Sequence, residues 1–250
     1  MRTTMKENFF APIAKDYARF RPTYPTELFA YLASIAPGLA LAWDCATGSG
    51  QAAQSSALHF EHVEATDISE ELLAQATPNA RIRFRKADAL ASGLADHSVD
   101  LVTVANAMHW FHGEPFAAEV RRVLVPGGVI AAWGYAFSSI TPAVDKLTRL
   151  VHSEIVDPFW IEPNRIVEHG YKDLHFPFFE LAPPTFTMVS HLNLNQVEGY
   201  MRTWSASQKY VKQHGIDPIG LVHEELESAW GNPSLVRQVN WRLNVRVGRV

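Results

Sequence analysis

The chain has 250 residues, 47% hydrophobic and 19% charged, enough apolar material for a full core and too much for a disordered chain. Its net charge of −4 argues against a dedicated nucleic-acid binder, which carries a basic face. The single cysteine, Cys45, excludes an internal disulfide or a cysteine-based zinc cluster, and the eleven histidines show no ligand spacing, so no metal is expected.

Met1–Asp16 lacks the sustained apolar stretch of a signal peptide, and no apolar run approaches the roughly 20 residues that span a bilayer. A soluble, cytoplasmic protein with no membrane partner is the expectation. The first 38 residues precede a strand-rich segment and are expected to form a helical cap. Strands are then predicted at Leu39–Ala46, His62–Asp67, Arg81–Asp88, Val99–Asn106 and Val129–Tyr135. Three of these (LALAW, VDLVTVA, VIAAW) are nearly continuous apolar runs, the pattern of parallel strands covered on both faces.

Helices are predicted between them, at Gln51–Phe60, Ser69–Thr77 and Glu114–Leu124, with Pro126-Gly127-Gly128 ending the last and launching the fifth strand. Such alternation implies a doubly wound α/β sheet with right-handed crossovers. Beyond Tyr135, Thr141–Val156, Asn193–His214 and Pro218–Trp230 read as helices forming a substrate or lid elaboration over residues 136–230. Between them HFPFFELAPPTFTMV reads as a hairpin or two short strands. Near the carboxyl end Val239, Trp241, Leu243, Val245 and Val247 alternate with polar residues, which predicts a half-buried antiparallel strand within residues 236–250. All of this is expected to form one domain.

The stretch LALAWDCATGSGQAA carries the chemistry. Its apolar strand ends at Asp44, turns through Ala46-Thr47-Gly48-Ser49-Gly50 and enters a helix. Glycines there let the backbone approach a ligand closely. Gly48, Gly50 and Ala53 satisfy the dinucleotide pattern G-x-G-x-x-A, and Asp67, ending the second strand, suits ribose hydroxyls. Dinucleotides and S-adenosylmethionine share that ribose. Asp44 favours the second, because a carboxylate repels a pyrophosphate and attracts an ammonium or sulfonium. Asp88 ends the third strand, where it is placed to accept from an adenine amine. The bland alternatives are that Asp44 caps the loop backbone and that Asp67 caps the next helix, a task better suited to Ser69.

The ordered motifs WDCATGSGQ, EATDIS, KADAL, SVDLVTVANAMHWF and EVRRVLVPGGVIAAW resemble class I S-adenosylmethionine-dependent methyltransferases, most closely the small-molecule branch of trans-aconitate and ubiquinone-biosynthesis types. The amino-terminal KDYARFRPTYP and the later VEGYMRTWSASQKY are similar to that group too. The chain departs from the pattern at Ala46 and Thr47, where the family usually has glycine and cysteine. The resemblance implies a Rossmann-like, mostly parallel seven-stranded sheet with an antiparallel carboxyl-terminal strand, and a monomer or homodimer acting on a small molecule. It assigns Asp44, Ala46, Gly48 and Gly50 to the methionyl end and loop, Asp67 and Ile68 to ribose and adenine, and Asp88 and Ala89 to adenine. Asn106 falls near the methionine moiety, and Tyr17 and Arg21 close over the cofactor.

On the acceptor side His109 and Arg202 are the candidates, His109 as a base or packed residue, Arg202 as a cationic anchor on a lid helix. A carboxylate acceptor is ionised at neutral pH and needs only such an anchor. Carboxyl O-methylation of a small organic acid is therefore the leading expectation, and a hydroxyl acceptor served by a base is the alternative. A nicotinamide-dependent oxidoreductase is disfavoured by Asp44. A nucleic-acid base methyltransferase lacks its catalytic tetrad, since Asn106 is followed by Ala107-Met108-His109. A non-catalytic scaffold that merely binds cofactor is the remaining alternative.

Overall fold

The computed structural model describes residues 22–111 and 113–250, so Tyr17, Arg21 and most of the expected amino-terminal cap lie outside the described residues. The first elements are α1 (Thr26–Ile35), β1 (Leu41–Cys45), α2 (Gln51–Ser56), β2 (His62–Asp67), α3 (Glu70–Leu73), β3 (Ile82–Lys86), β4 (Val99–Ala105), α4 (Glu114–Val123) and β5 (Leu124–Gly134). There follow β6 (Ser138–Ser139), α5 (Pro142–Leu150), α6 (Glu162–Glu168), β7 (Phe179–Leu181), β8 (Thr187–Leu192), α7 (Leu194–Arg202), α8 (Ser205–His214), α9 (His223–Trp230), β9 (Arg237–Arg242) and β10 (Asn244–Arg249).

Seven strands make one sheet in the order β3-β2-β1-β4-β5-β10-β7. The first five are parallel, β10 runs antiparallel to β5, and β7 antiparallel to β10. The order steps outward in both directions from β1 and β4, so the crevice where α/β proteins take ligands falls between their carboxyl ends. Alternate residues serve two cores. On one face Ala42, Leu101 and Ala131 pack with Leu28, Phe29 and Ala53. On the other, Trp43, Val102 and Ile130 pack with Phe116 and Val120 of α4. Coverage on both faces is why these strands read as unbroken apolar runs.

Helix α4 is also held by polar contacts. The Glu119 carboxylate is buried, accepts the Ser92 N–H at 2.8 Å and pairs with Arg122, which holds its carboxyl down at about 2. At the amino edge of the sheet Asp100 accepts the Ala40 and Leu41 N–H groups at 2.9 and 3.1 Å, setting where β1 starts.

Several predicted elements come out differently. The helix expected at Ser69–Thr77 is capped by Ser69 as predicted, yet it closes at Leu73 because Gln75 and Ala76 turn back onto Leu72 and Leu73. Pro126-Gly127-Gly128 does not launch β5 but lies inside it. Leu124 already pairs with Val99, and the register shifts before Val129, so the Pro-Gly-Gly forms a bulge. Gly127 takes φ +79° there and donates to the Val250 carbonyl.

Of the two forms expected for HFPFFELAPPTFTMV, two short strands are found, Phe179–Leu181 and Thr187–Leu192, and not a hairpin. They belong to different sheets, one pairing with β10 and the other with β9 in a three-stranded sheet β6-β9-β8. Pro183-Pro184 between them has no N–H for a ladder. The single alternating strand at the carboxyl end is two strands, broken at Leu243, whose N–H bonds Phe186. The helix expected at Asn193–His214 is likewise two, because Trp204 is extended at φ −64°, ψ 136°. Among the described residues no helix is long and apolar enough to cross a membrane.

Candidate active-site crevice

Asp44 is the last residue but one of β1, beside Ala65 and Thr103 of the neighbouring strands. It is 1% exposed and its oxygens are already engaged: Thr47 donates its hydroxyl to Oδ2 at 2.5 Å and Thr103 to Oδ1 at 2.7 Å. Burial is the largest influence on this carboxyl and pushes it up to about 6, against the opposing pull of Thr47, Thr103 and the Ala53 N–H. The hydrogen bonds therefore favour the loop-capping alternative: Asp44 ties β1, β4 and the first turn of α2 together around the loop.

The loop itself is made of left-handed backbone. Ala46, Gly48 and Gly50 have φ of +56°, +58° and +87°. A Cβ at Gly48 would meet nothing within 4 Å, so the loop opens into free space there, whereas one at Gly50 would stand 2.7 Å from the Phe84 ring. Ala46 is the residue out of place, since an L side chain in this region costs about 1–2 kcal/mol. Ala46→Gly is expected to raise stability by about 1 kcal/mol once the freer unfolded chain is counted, seen as a Tm increase of a few degrees. A Tm unchanged or lowered contradicts the strain.

Asp67 stands at the end of β2, directly across the loop. Its Oδ2 accepts the Gly48 N–H at 2.8 Å and its Oδ1 the Ser69 N–H at 2.9 Å. Burial raises this carboxyl above its ordinary range, with those two N–H groups opposing. The Ile68 N–H also bonds this carboxylate, which still keeps lone-pair capacity for a ligand hydroxyl. The next side chain, Ile68, is 50% exposed although large and apolar, and Leu90 is similarly open. Ala87 donates to the Asp67 carbonyl, which brings Asp88 and Ala89 to the same rim, and Asp88 is exposed with Oδ1 on the Leu90 N–H. A carboxylate with spare lone pairs, beside open apolar side chains and an open glycine loop, fits a nucleoside.

Asn106 follows β4 in the left-handed region, φ +53°, its N–H bonded to the Trp133 carbonyl. Such backbone in a non-glycine residue is strained and gathers at functional sites. With Ala46 it places two strained residues at the carboxyl ends of adjacent strands.

The acceptor-side candidates are both engaged by neighbouring side chains. His109 is 7% exposed, with Nδ1 3.1 Å from the Tyr171 hydroxyl and its ring 5.0 Å from Trp110. That is the packed arrangement, with Tyr171 itself fully buried and its phenol held un-ionised. Arg202 donates from Nε to Asp217 at 2.8 Å and reaches Glu198 at 3.4 Å. It neutralises a carboxylate that is buried and shared with His223, so its guanidinium is committed within the helical layer. Sequence reasoning passed over Thr47, Thr103 and His152. A threonine in the middle of VDLVTVA was the available signal, because a buried hydroxyl in an apolar strand needs a partner.

A family model described as a methyltransferase domain matches residues 43–132. A Dictyostelium discoideum protein described as a methyltransferase is 30% identical over 233 residues, covering 91% of this chain and 88% of its own. A structure from Anaeromyxobacter dehalogenans, described as a type II methyltransferase, superposes with a TM-score of 0.87 at 38% identity, covering 92% of this chain and 98% of that one. A Mycobacterium bovis methyltransferase is 35% identical over 122 residues, 48% of this chain and 49% of its own.

Proposed function

Because the chain belongs to the class I methyltransferases, whose cofactor is S-adenosylmethionine, we propose that it methylates a small molecule held between the crevice and the helices of residues 136–230. The observation that carries this reading is the pairing of Asp67 with the Gly48 N–H beside the open Ile68 side chain. Asp67 would hold the ribose hydroxyls, Ile68 and Ala89 would flank the adenine, and Asp88 would accept from its amine. Gly48 and Gly50 keep the loop low enough for close approach, and Asn106 would lie toward the methionyl end. Asp44 acts behind the loop, through Thr47 and α2.

S-adenosylmethionine supplies an activated methyl group when bound, so the protein's task is orientation and exclusion of water. Carboxyl O-methylation, the chemistry that the resemblance favours, needs a cation at the acceptor. Arg202 is engaged by Asp217 and Glu198, which weighs against Arg202 as that cation.

Calorimetric titration with S-adenosylhomocysteine, and NADH in parallel, tests the proposal. The expected result is saturable heat with the first and none with the second. Saturable binding of NADH alone overturns the reading and turns attention to hydride transfer.

A further inference from the structure

A second group of buried polar atoms lies beside the crevice. Residues Val151–Ile155 leave α5 as a single π-turn, a feature that gathers at functional sites. The turn carries His152, 6% exposed, into a wall of rings: Phe137, Trp160 and Trp204 at centroid distances of 4.6, 4.7 and 5.3 Å. Trp160 Nε1 donates to the His152 carbonyl at 3.0 Å and fixes the turn. The imidazole Nε2 lies 3.5 Å from Glu168 Oε1 of α6. That oxygen, and Asn164 Oδ1 one turn earlier on the same helix, are buried and accept no hydrogen bond from the described residues.

The chain path puts this group over the crevice. Phe137 is the third residue past the end of β5, whose Trp133 carbonyl takes the Asn106 N–H. Val167 and Tyr171 press on Gly134, so close that a Cβ there would lie 3.0 Å from Tyr171 and 3.1 Å from Val167. The group thus stands over the carboxyl ends of β4 and β5, beside the half of the edge that carries the acids.

Resting on the methyltransferase reading, the geometry points to His152 as the acceptor-side base, with Glu168 beside it, for a planar hydroxyl compound, a phenol or enol, lying against Trp160 and Trp204. The hydroxyl oxygen forms the new bond to the methyl carbon, the carbon–sulfur bond breaks with its electron pair on sulfur, and the O–H proton passes to His152 Nε2. A phenol titrates near pH 10 and is un-ionised at neutral pH, so it needs such a base. A buried acceptor left unpaired is destabilising, so Glu168 Oε1 and Asn164 Oδ1 call for a ligand that brings donors. A carboxylate would face them acceptor to acceptor. An ammonium is disfavoured by Arg149, 4.5 Å above the Phe137 ring, and by Arg165 on α6.

Burial and then Arg165 and Arg149, opposed by Asp157, push the His152 imidazole down to about 4, and burial raises Glu168 above its ordinary range. The imidazole is therefore unprotonated and available throughout the neutral range.

The test loads the enzyme with S-adenosylhomocysteine and titrates 4-nitrophenol and 4-nitrocatechol. Tryptophan fluorescence reports binding, and the visible absorbance reports the state of the phenolic proton. At least one probe is expected to quench the fluorescence and to shift its band toward the neutral phenol, since an imidazole at about 4 accepts the phenolic hydrogen bond at rest and takes the proton only as the methyl group arrives. That preference for the neutral phenol should vanish in His152→Gln and shrink in Glu168→Gln, while S-adenosylhomocysteine binds all three proteins equally. With S-adenosylmethionine, His152→Gln should lower kcat on the bound phenol by about 10²–10⁴-fold with little change in KM. If neither phenol binds, or the preference for the neutral phenol survives in His152→Gln, the inference is overturned and the cofactor site stands. If S-adenosylhomocysteine fails to bind the unaltered protein, the methyltransferase reading falls instead.

Discussion

Asp67→Ala is expected to weaken S-adenosylhomocysteine binding about a hundredfold or more, because a carboxylate–hydroxyl bond contributes about 1.5–3 kcal/mol and the ribose would make two. The truncation also releases the Gly48 and Ser69 N–H groups that Asp67 holds, so the loop loses its support on the β2 side. Asp67→Asn is milder on both counts. It keeps the side-chain volume and one acceptor oxygen, so one of the two N–H groups stays held while the other, and the ligand, meet a neutral amide. It should fall between the natural protein and Asp67→Ala. Asp88→Ala, at an exposed position, should cost about tenfold or less, since screened contacts contribute little. Calorimetry on the four proteins checks the order. Equal affinity in the natural protein and Asp67→Ala overturns the placement of the ribose.

Asp44→Asn is expected to stabilise the fold at pH 7 by as much as about 3 kcal/mol. Burial raises the folded-state carboxyl to about 6 from its ordinary 3.8, and each pH unit of that gap is worth about 1.4 kcal/mol. A raised carboxyl favours the protonated native state. Its contribution is complete below about pH 4 and is lost as pH rises through about 6. The amide imitates the neutral acid, and the Thr47 and Thr103 hydroxyls can still bond it by rotating. Denaturant unfolding from pH 4 to 7 should show a falling stability in the natural protein and a flatter profile in Asp44→Asn. A variant less stable than the natural protein at pH 7 contradicts this account. A simultaneous loss of cofactor affinity would show that the carboxylate is kept for its charge, a cost in stability accepted for function.

The cofactor half of the crevice was legible in the sequence because its parts are local. Asp44, the glycine loop, Asp67 and Asp88 each lie at or just beyond the end of an apolar run, and parallel strands bring such ends to one edge. The acceptor half was not. Arg202 read as a free cation, yet its partners are four and fifteen residues away, one on α7 and one beyond the end of α8, with a break at Trp204 that no periodicity announced. His109 read equally as a pocket residue or a packed one, and the partner that decides its surroundings, Tyr171, is 62 residues away. His152 carries no motif at all. It matters because a π-turn, a distant helix and three rings from separate segments meet around it.

The alternation from Val239 to Val247 draws the same line. A period of two says which side chains face inward, and Val239, Trp241, Leu243 and Val247 are all buried. It does not say which sheet receives them, and the chain changes sheets at Leu243 without losing step. By itself the sequence determined the element types, the parallel core and the acidic crevice, because apolar period and turn chemistry act over neighbouring residues. Only the tertiary structure decided which charges are spent on each other and which buried acceptors still want a donor, because those depend on desolvation and on partners far apart in the chain.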